Sequence, residues 1–127
     1  MKMANDIIVL KSKGKGAPAA EKAKPDAEKL ISGKYKTTSW NHFTGEDGRL
    51  FCGIWESTKG KVHVNYTEWE FCHIISGSAI LTREDGAKWK VKKGDAFIIP
   101  VGFKGTWETV RKVKKHYVAL MAKTEAK

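Results

Sequence analysis

The chain has 127 residues, and 24 Lys and Arg against 14 Asp and Glu leave a formal net charge of +10. This length fits one domain of roughly 100–200 residues, large enough to bury about two-thirds of its unfolded surface without disulfide staples. No apolar run approaches the ~20 residues of a membrane-spanning helix, and Ile7–Leu10 followed by Lys11-Ser12-Lys13-Gly14-Lys15-Gly16 does not read as a signal peptide. Lysine carries most of the positive charge, with arginine at Arg49, Arg83 and Arg111. Lysine serves solubility and diffuse fields, whereas planar recognition of phosphate favours arginine. No basic–aromatic recognition motif accompanies the charge, so nucleic acid is not expected as a partner. Cys52 and Cys72 are too few for a disulfide framework and too far apart for a zinc knuckle. They are expected to be reduced thiols of a cytoplasmic protein, with one disulfide between them as the alternative.

Residues 11–25 contain nothing large and apolar, so they cannot contribute to a core. A basic flexible N-terminal tail is therefore expected over 1–24 and a folded domain over 25–127. Next comes Pro25-Asp26-Ala27-Glu28-Lys29-Leu30-Ile31-Ser32-Gly33. Proline suits the first helical position, acids the first turn, and glycine the position after the end. The pattern predicts one short helix near 26–32.

After Gly33 the pattern changes. Aromatic and β-branched residues come in short runs over 36–43, 50–57, 61–67, 69–76, 78–83, 88–92, 95–99, 104–110 and 115–122. Turn chemistry separates them: Gly45-Glu46-Asp47-Gly48, Lys59-Gly60, Glu84-Asp85-Gly86, Lys93-Gly94-Asp95 and Pro100-Val101-Gly102. Trp89 and Val91 alternate with Lys88, Lys90 and Lys92, which gives one apolar and one charged face. Eight or nine short strands imply an all-β antiparallel sandwich or barrel.

Two blocks narrow the fold. Glu70-Phe71-Cys72-His73-Ile74-Ile75-Ser76-Gly77 places a glycine seven residues after a glutamate. Gly94-Asp95-Ala96-Phe97-Ile98-Ile99-Pro100-Val101-Gly102 ends on Pro-x-Gly. Together with Leu81–Gly86 between them and Arg111–Val118 after them, these blocks resemble the cupin superfamily. They are more narrowly similar to the small single-domain cupins grouped with ureidoglycine aminohydrolase. The resemblance covers about residues 35–120. It implies a single-domain cupin jelly roll, a double-stranded β-helix barrel around one pocket, and a homodimer. The five tryptophans are consistent with a sheet face used for pairing.

In metal-binding cupins the resemblance implies a His-x-His pair, a glutamate three or four residues on, and a third histidine in the second block. With a four-residue gap before Glu70 the pair falls on His63 and Asn65, and with a three-residue gap on Val64 and Tyr66. The third position falls on Gly105. His63 and Glu70 are the two strong ligands left, too few to hold a first-row divalent ion tightly. No cofactor is expected, a divalent metal being the alternative. Strand parity puts Cys72 on the face of Glu70, and Trp107 on the face of Gly105. The expected ligand pocket is thus His63, Asn65, Glu70, Cys72 and Trp107, with no residue assigned to catalysis or to a metal. Three functions fit it: a cupin of unassigned activity with a small-molecule pocket in its barrel, a metal-dependent enzyme like ureidoglycine aminohydrolase acting on a small polar metabolite, or a non-catalytic ligand-binding or sensing module.

Overall fold

A computed structural model describes residues 5–123. Nine strands form in this span: β1 Glu21–Ala23, β2 Leu30–Ser32, β3 Thr37–Gly45, β4 Leu50–Ser57, β5 Gly60–Asn65, β6 Glu68–Arg83, β7 Lys88–Lys92, β8 Ala96–Ile99 and β9 Lys104–Met121. Every pairing is antiparallel. No helix among the described residues is long and apolar enough to cross a membrane.

The long strands β6 and β9 pair with each other along most of their length and belong to both halves of a curled sheet. In one half the order is β1-β3-β4-β9, continued through β6 to β8. In the other it is β2-β5-β9, continued through β6 to β7. The core fills the space between them, with Val62, Cys72, Ile74, Ala79, Leu81, Val91, Ile99, Phe103, Trp107 and Val113 all buried.

Four of the expected strands merge into two. The predicted breaks at 76–78 and 110–115 lie opposite each other, where the β6–β9 register shifts between Ile74 and Ala79. Both strands bend there without ending, and the bend turns one half of the sheet over the other. Gly77 makes this approach possible. Its φ is +86°, and a Cβ at that position would lie 2.0 Å from the carbonyl oxygen of Lys112.

The helix predicted near 26–32 does not form. Lys29 N and Leu30 N donate to Asp26 O in a single turn, after which Leu30 and Ser32 pair with Val62 and Lys61 of β5. An isolated helix this short is marginal in water, and β5 offers an open edge whose backbone groups need partners. Pairing with that edge prevails over the local helix signals. Within the expected tail, β1 pairs with Thr37, Thr38 and Ser39 of β3. Further back, Lys114 Nζ donates to Ser12 Oγ at 2.6 Å.

The bend sets a measurable contrast. Gly86 also has a positive φ, +94°, but a Cβ there meets nothing within 4 Å. Gly86→Ala should cost only the backbone term of about 1–2 kcal/mol. Gly77→Ala adds a clash with fixed backbone and should lower the melting temperature clearly further, as thermal unfolding of the two variants will read.

Candidate functional site: a buried lysine beneath the barrel mouth

Three rows of paired residues face the barrel interior across β4, β9, β6 and β8. Lys115 lies opposite Trp55 and Ile74, Cys72 opposite Tyr117 and Phe97, and Glu70 opposite Ala119 and Ile99. Alternation along β9 therefore carries Val113, Lys115 and Tyr117 inward and leaves Lys114 and His116 on the other face. Lys115 is 3% exposed.

The partners of Lys115 account for its burial. Its Nζ donates to Glu70 Oε2 at 2.7 Å and to Cys72 Sγ at 3.2 Å. The Cys72 thiol donates to the same Glu70 oxygen at 3.1 Å. The Trp55 and Trp107 rings flank the ammonium with centroids 4.7 and 4.9 Å away, and pack edge to face against each other. Desolvated cation–π contacts of this kind are worth about 2 kcal/mol. Beside the cluster, Trp107 Nε1 donates to Thr109 Oγ1 at 2.8 Å, and Thr109 Oγ1 bonds Ser57 Oγ. Ser57 in turn bonds the Tyr35 hydroxyl.

Burial by itself disfavours an ammonium, yet Lys115 titrates well above the ordinary lysine range because the Glu70 carboxylate lies against it. Burial, assisted by the Glu70 charge, pushes the Cys72 thiol up to about 12, and Lys115 only partly offsets this. Burial also raises the Tyr35 and Tyr117 phenols to about 12 and lifts Tyr66 further. Lys115, Cys72 and the tyrosines are therefore all protonated at neutral pH. A buried thiol in this state is a poor nucleophile, and a protonated lysine cannot form a Schiff base.

Above the cluster an open cavity of about 1140 Å³ is lined by Glu70 and Lys115 at its floor and by Tyr35, Trp55, Tyr66 and Tyr117 among its walls. His63 and Asn65 also line it, but both side chains are exposed. Cys72 and Trp107 are buried and take no part in the lining. The partners of Glu70 among the described residues are Lys115 and Cys72, and both bonds use Oε2. No buried side-chain oxygen among the described residues lacks a partner, so Glu70 Oε1 opens on the cavity. Cys52 and Cys72 are both free thiols.

Lys115 was not legible as a site residue in a run of lysines, although its parity with Val113 and Tyr117 places it inside. The same parity decides the frame of the metal-ligand positions. On β5 the residues packed into the core are Val62 and Val64, followed by Tyr66. The inward positions ahead of Glu70 are thus Val64 and Tyr66, the three-residue gap, and not His63 and Asn65. At Gly105 a Cβ would lie 1.8 Å from Thr82 O, so no larger side chain fits there. The set Val64, Tyr66, Glu70 and Gly105 offers one strong ligand, whose charge Lys115 already balances. These residues do not fit a divalent ion.

A model of the EutQ-like cupin domain matches residues 44–117. The chain belongs to the EutQ-like cupin family. Among solved structures, this cupin is similar to a DUF861-family protein of unknown function from Pseudomonas syringae, at 25% identity and a TM-score of 0.72. That match covers 80% of this cupin but 44% of the Pseudomonas chain, so this cupin spans less than half of that protein. It is also similar to EutQ of Clostridium difficile, at 23% identity over 77% of this cupin and 79% of that chain, with a TM-score of 0.62. A putative ethanolamine utilization protein Q from Salmonella typhimurium matches at 23% identity over 68% and 71% of the two chains, with a TM-score of 0.60. No curated protein matches this cupin significantly.

Two measurements follow from the buried protons. Cys52, half-buried, should react with a thiol reagent in the native state, while Cys72 should react only on unfolding. Cys72 titrates near 12 in place of 9.0, and Tyr35 and Tyr117 near 12 in place of 10.0. Above about pH 9 the unfolded chain gives up these protons first, so the native state binds more protons and stability must fall as pH rises. The melting temperature of this cupin should show a continuous decline from about pH 9 to 12 in a thermal-shift series.

Proposed function

We propose that this cupin is a binding or sensing module that holds a small polar organic molecule in the mouth of its barrel. The observation that carries the reading is Glu70. One of its carboxylate oxygens is held by Lys115 and Cys72, and the other opens on a cavity with aromatic walls. Apolar walls with a few placed polar groups are the usual composition of a small-molecule site. The ligand that fits carries an N–H or O–H donor for Glu70 Oε1 and a flat or apolar part for Trp55 and Tyr66. The absence of an activated nucleophile at the floor supports binding over covalent chemistry.

The resemblance to ureidoglycine aminohydrolase suggests instead a metal-dependent hydrolysis of a ureido amine. That chemistry needs a divalent ion, and the inward frame at Val64, Tyr66, Glu70 and Gly105 has one strong ligand for it. The binding reading is therefore preferred. A homodimer belongs to the same proposal, supported by the apolar outer row of Phe43, Cys52, Val118, Phe71 and Ile98; light scattering checks it.

Protein purified without chelators should release an organic molecule on denaturation, read by mass spectrometry. Glu70→Gln removes the charged acceptor and should weaken retention by about tenfold or more, since hydrogen bonds to charged groups contribute about 1.5–3 kcal/mol. A barrel with no organic occupant, and equal retention by Glu70→Gln of any molecule later found to bind, would overturn the reading.

A further inference from the structure

We propose that Lys115 is the resident cation of this cupin: a tethered ammonium that balances the Glu70 carboxylate where metal-binding members would place a divalent ion. Its task is to hold Glu70 turned so that Oε1 faces the cavity. Lys115 is thus a positioning residue, acting on a ligand through Glu70.

Three independent features carry this. The first is the coordination of Nζ. It has a carboxylate oxygen at 2.7 Å, a sulfur at 3.2 Å and two indole faces within 5 Å. An ammonium has three donors and no acceptor, and this box supplies only electron-rich partners. The second is the geometry around it. Gly105 has no room for a third ligand, because a Cβ would strike the Thr82 carbonyl, and Val64 and Tyr66 hold the two inward positions ahead of Glu70. The third is energetic. Replacing a buried ion pair by apolar residues of similar volume is often neutral or stabilising. Stability therefore gives little reason to keep a lysine 3% exposed in the middle of a core, and presentation of a charged Glu70 to the cavity does.

A tethered cation also differs from a bound one. It cannot be removed by a chelator or exchanged for another ion, and its charge persists across the neutral range because Glu70 raises its pKa. Glu70 stays an acceptor under all those conditions. This last clause, about presenting an acceptor, rests on the ligand-binding reading; the cation assignment does not.

The test has arms that need no ligand. Chelator-treated wild-type protein is titrated with Mn²⁺, Zn²⁺ and Ni²⁺ by calorimetry. No stoichiometric binding and no shift in melting temperature are expected, and a one-to-one ion lost in Glu70→Gln would overturn the proposal. Lys115→Ala opens the box and should lower the melting temperature by about 10 °C or more. Propylammonium should restore at least half of that loss while leaving wild type unchanged; equal effects on both proteins would overturn it. If Lys115→Ala does not fold, Lys115→Met and the double variant Lys115→Met/Glu70→Gln replace it. The double variant should melt above Lys115→Met. A double variant that melts below both single variants would overturn the charge-pair role. Failure of the ligand reading would leave an empty barrel and these results unchanged, so the two outcomes are distinguishable.

Discussion

The structure turns on one electrostatic constraint, a carboxylate inside a barrel whose own backbone leaves little room for anything to balance it. Glu70 lies on the inner face of β6, with Ala119 and Ile99 as its strand neighbours. A charge there loses most of its hydration, and an isolated buried carboxylate would neutralise by taking a proton. Lys115, two rows along on β9, removes that need. The pair then dictates its surroundings. Cys72, two residues on from Glu70 along β6, is a donor to the carboxylate, and Trp55 and Trp107 close over the ammonium where a polar side chain would compete for it.

The backbone makes this arrangement possible. β6 and β9 run through both halves of the sheet, so one pair of strands supplies Glu70, Cys72, Trp107, Thr109 and Lys115. The register shift near Gly77 separates Lys115 from Trp107 along β9 and folds them back to face one another. A residue with a side chain at 77 would push Lys112 away and open the corner. The site is thus assembled by the bend rather than by loops, and its members are held by ladder hydrogen bonds on both sides. Such placement keeps a short contact such as Lys115–Glu70 at fixed geometry without a separate support.

Much of the fold was legible because its signals are local. The turns at Gly45–Gly48 and Glu84–Gly86 lie where β3 reverses into β4 and β6 into β7, and the two spaced blocks at Glu70–Gly77 and Gly94–Gly102 carried the superfamily. Alternation also placed Glu70 and Cys72 on one face. What escaped depends on partners far along the chain. The segment 26–32 has sound helix signals, but an open edge on β5, thirty residues away, offers it a better use. The apparent strand ends at Ser76 and Val110 are bends, since a register shift in one strand reads the same as a turn until its partner is known. Lys115 sits in Lys112-Val113-Lys114-Lys115, where three lysines look alike and only their parity against Val113 separates the inward one. His63 drew notice as a possible ligand because of its residue type, while Val62 and Val64 beside it decide which way the strand faces.

The contrast between His63 and Lys115 carries a more general point about degenerate metal sites. Counting missing ligands suggests a pocket that has lost its function, with Glu70 left over. The interior shows a different balance: the positions that cannot serve a metal are filled by Val64, by Tyr66 and by the backbone contact at Gly105, and the charge a metal would bring comes from Lys115, ten residues further along the strand that carries Gly105. A site abandoned by its metal would be expected to lose the carboxylate as well, since a carboxylate without a cation destabilises the core. Here the carboxylate is kept, paired, and left with one oxygen facing an open cavity. The chemistry open to such a floor is recognition through hydrogen bonds and aromatic contact, with a fixed charge in place of an exchangeable one.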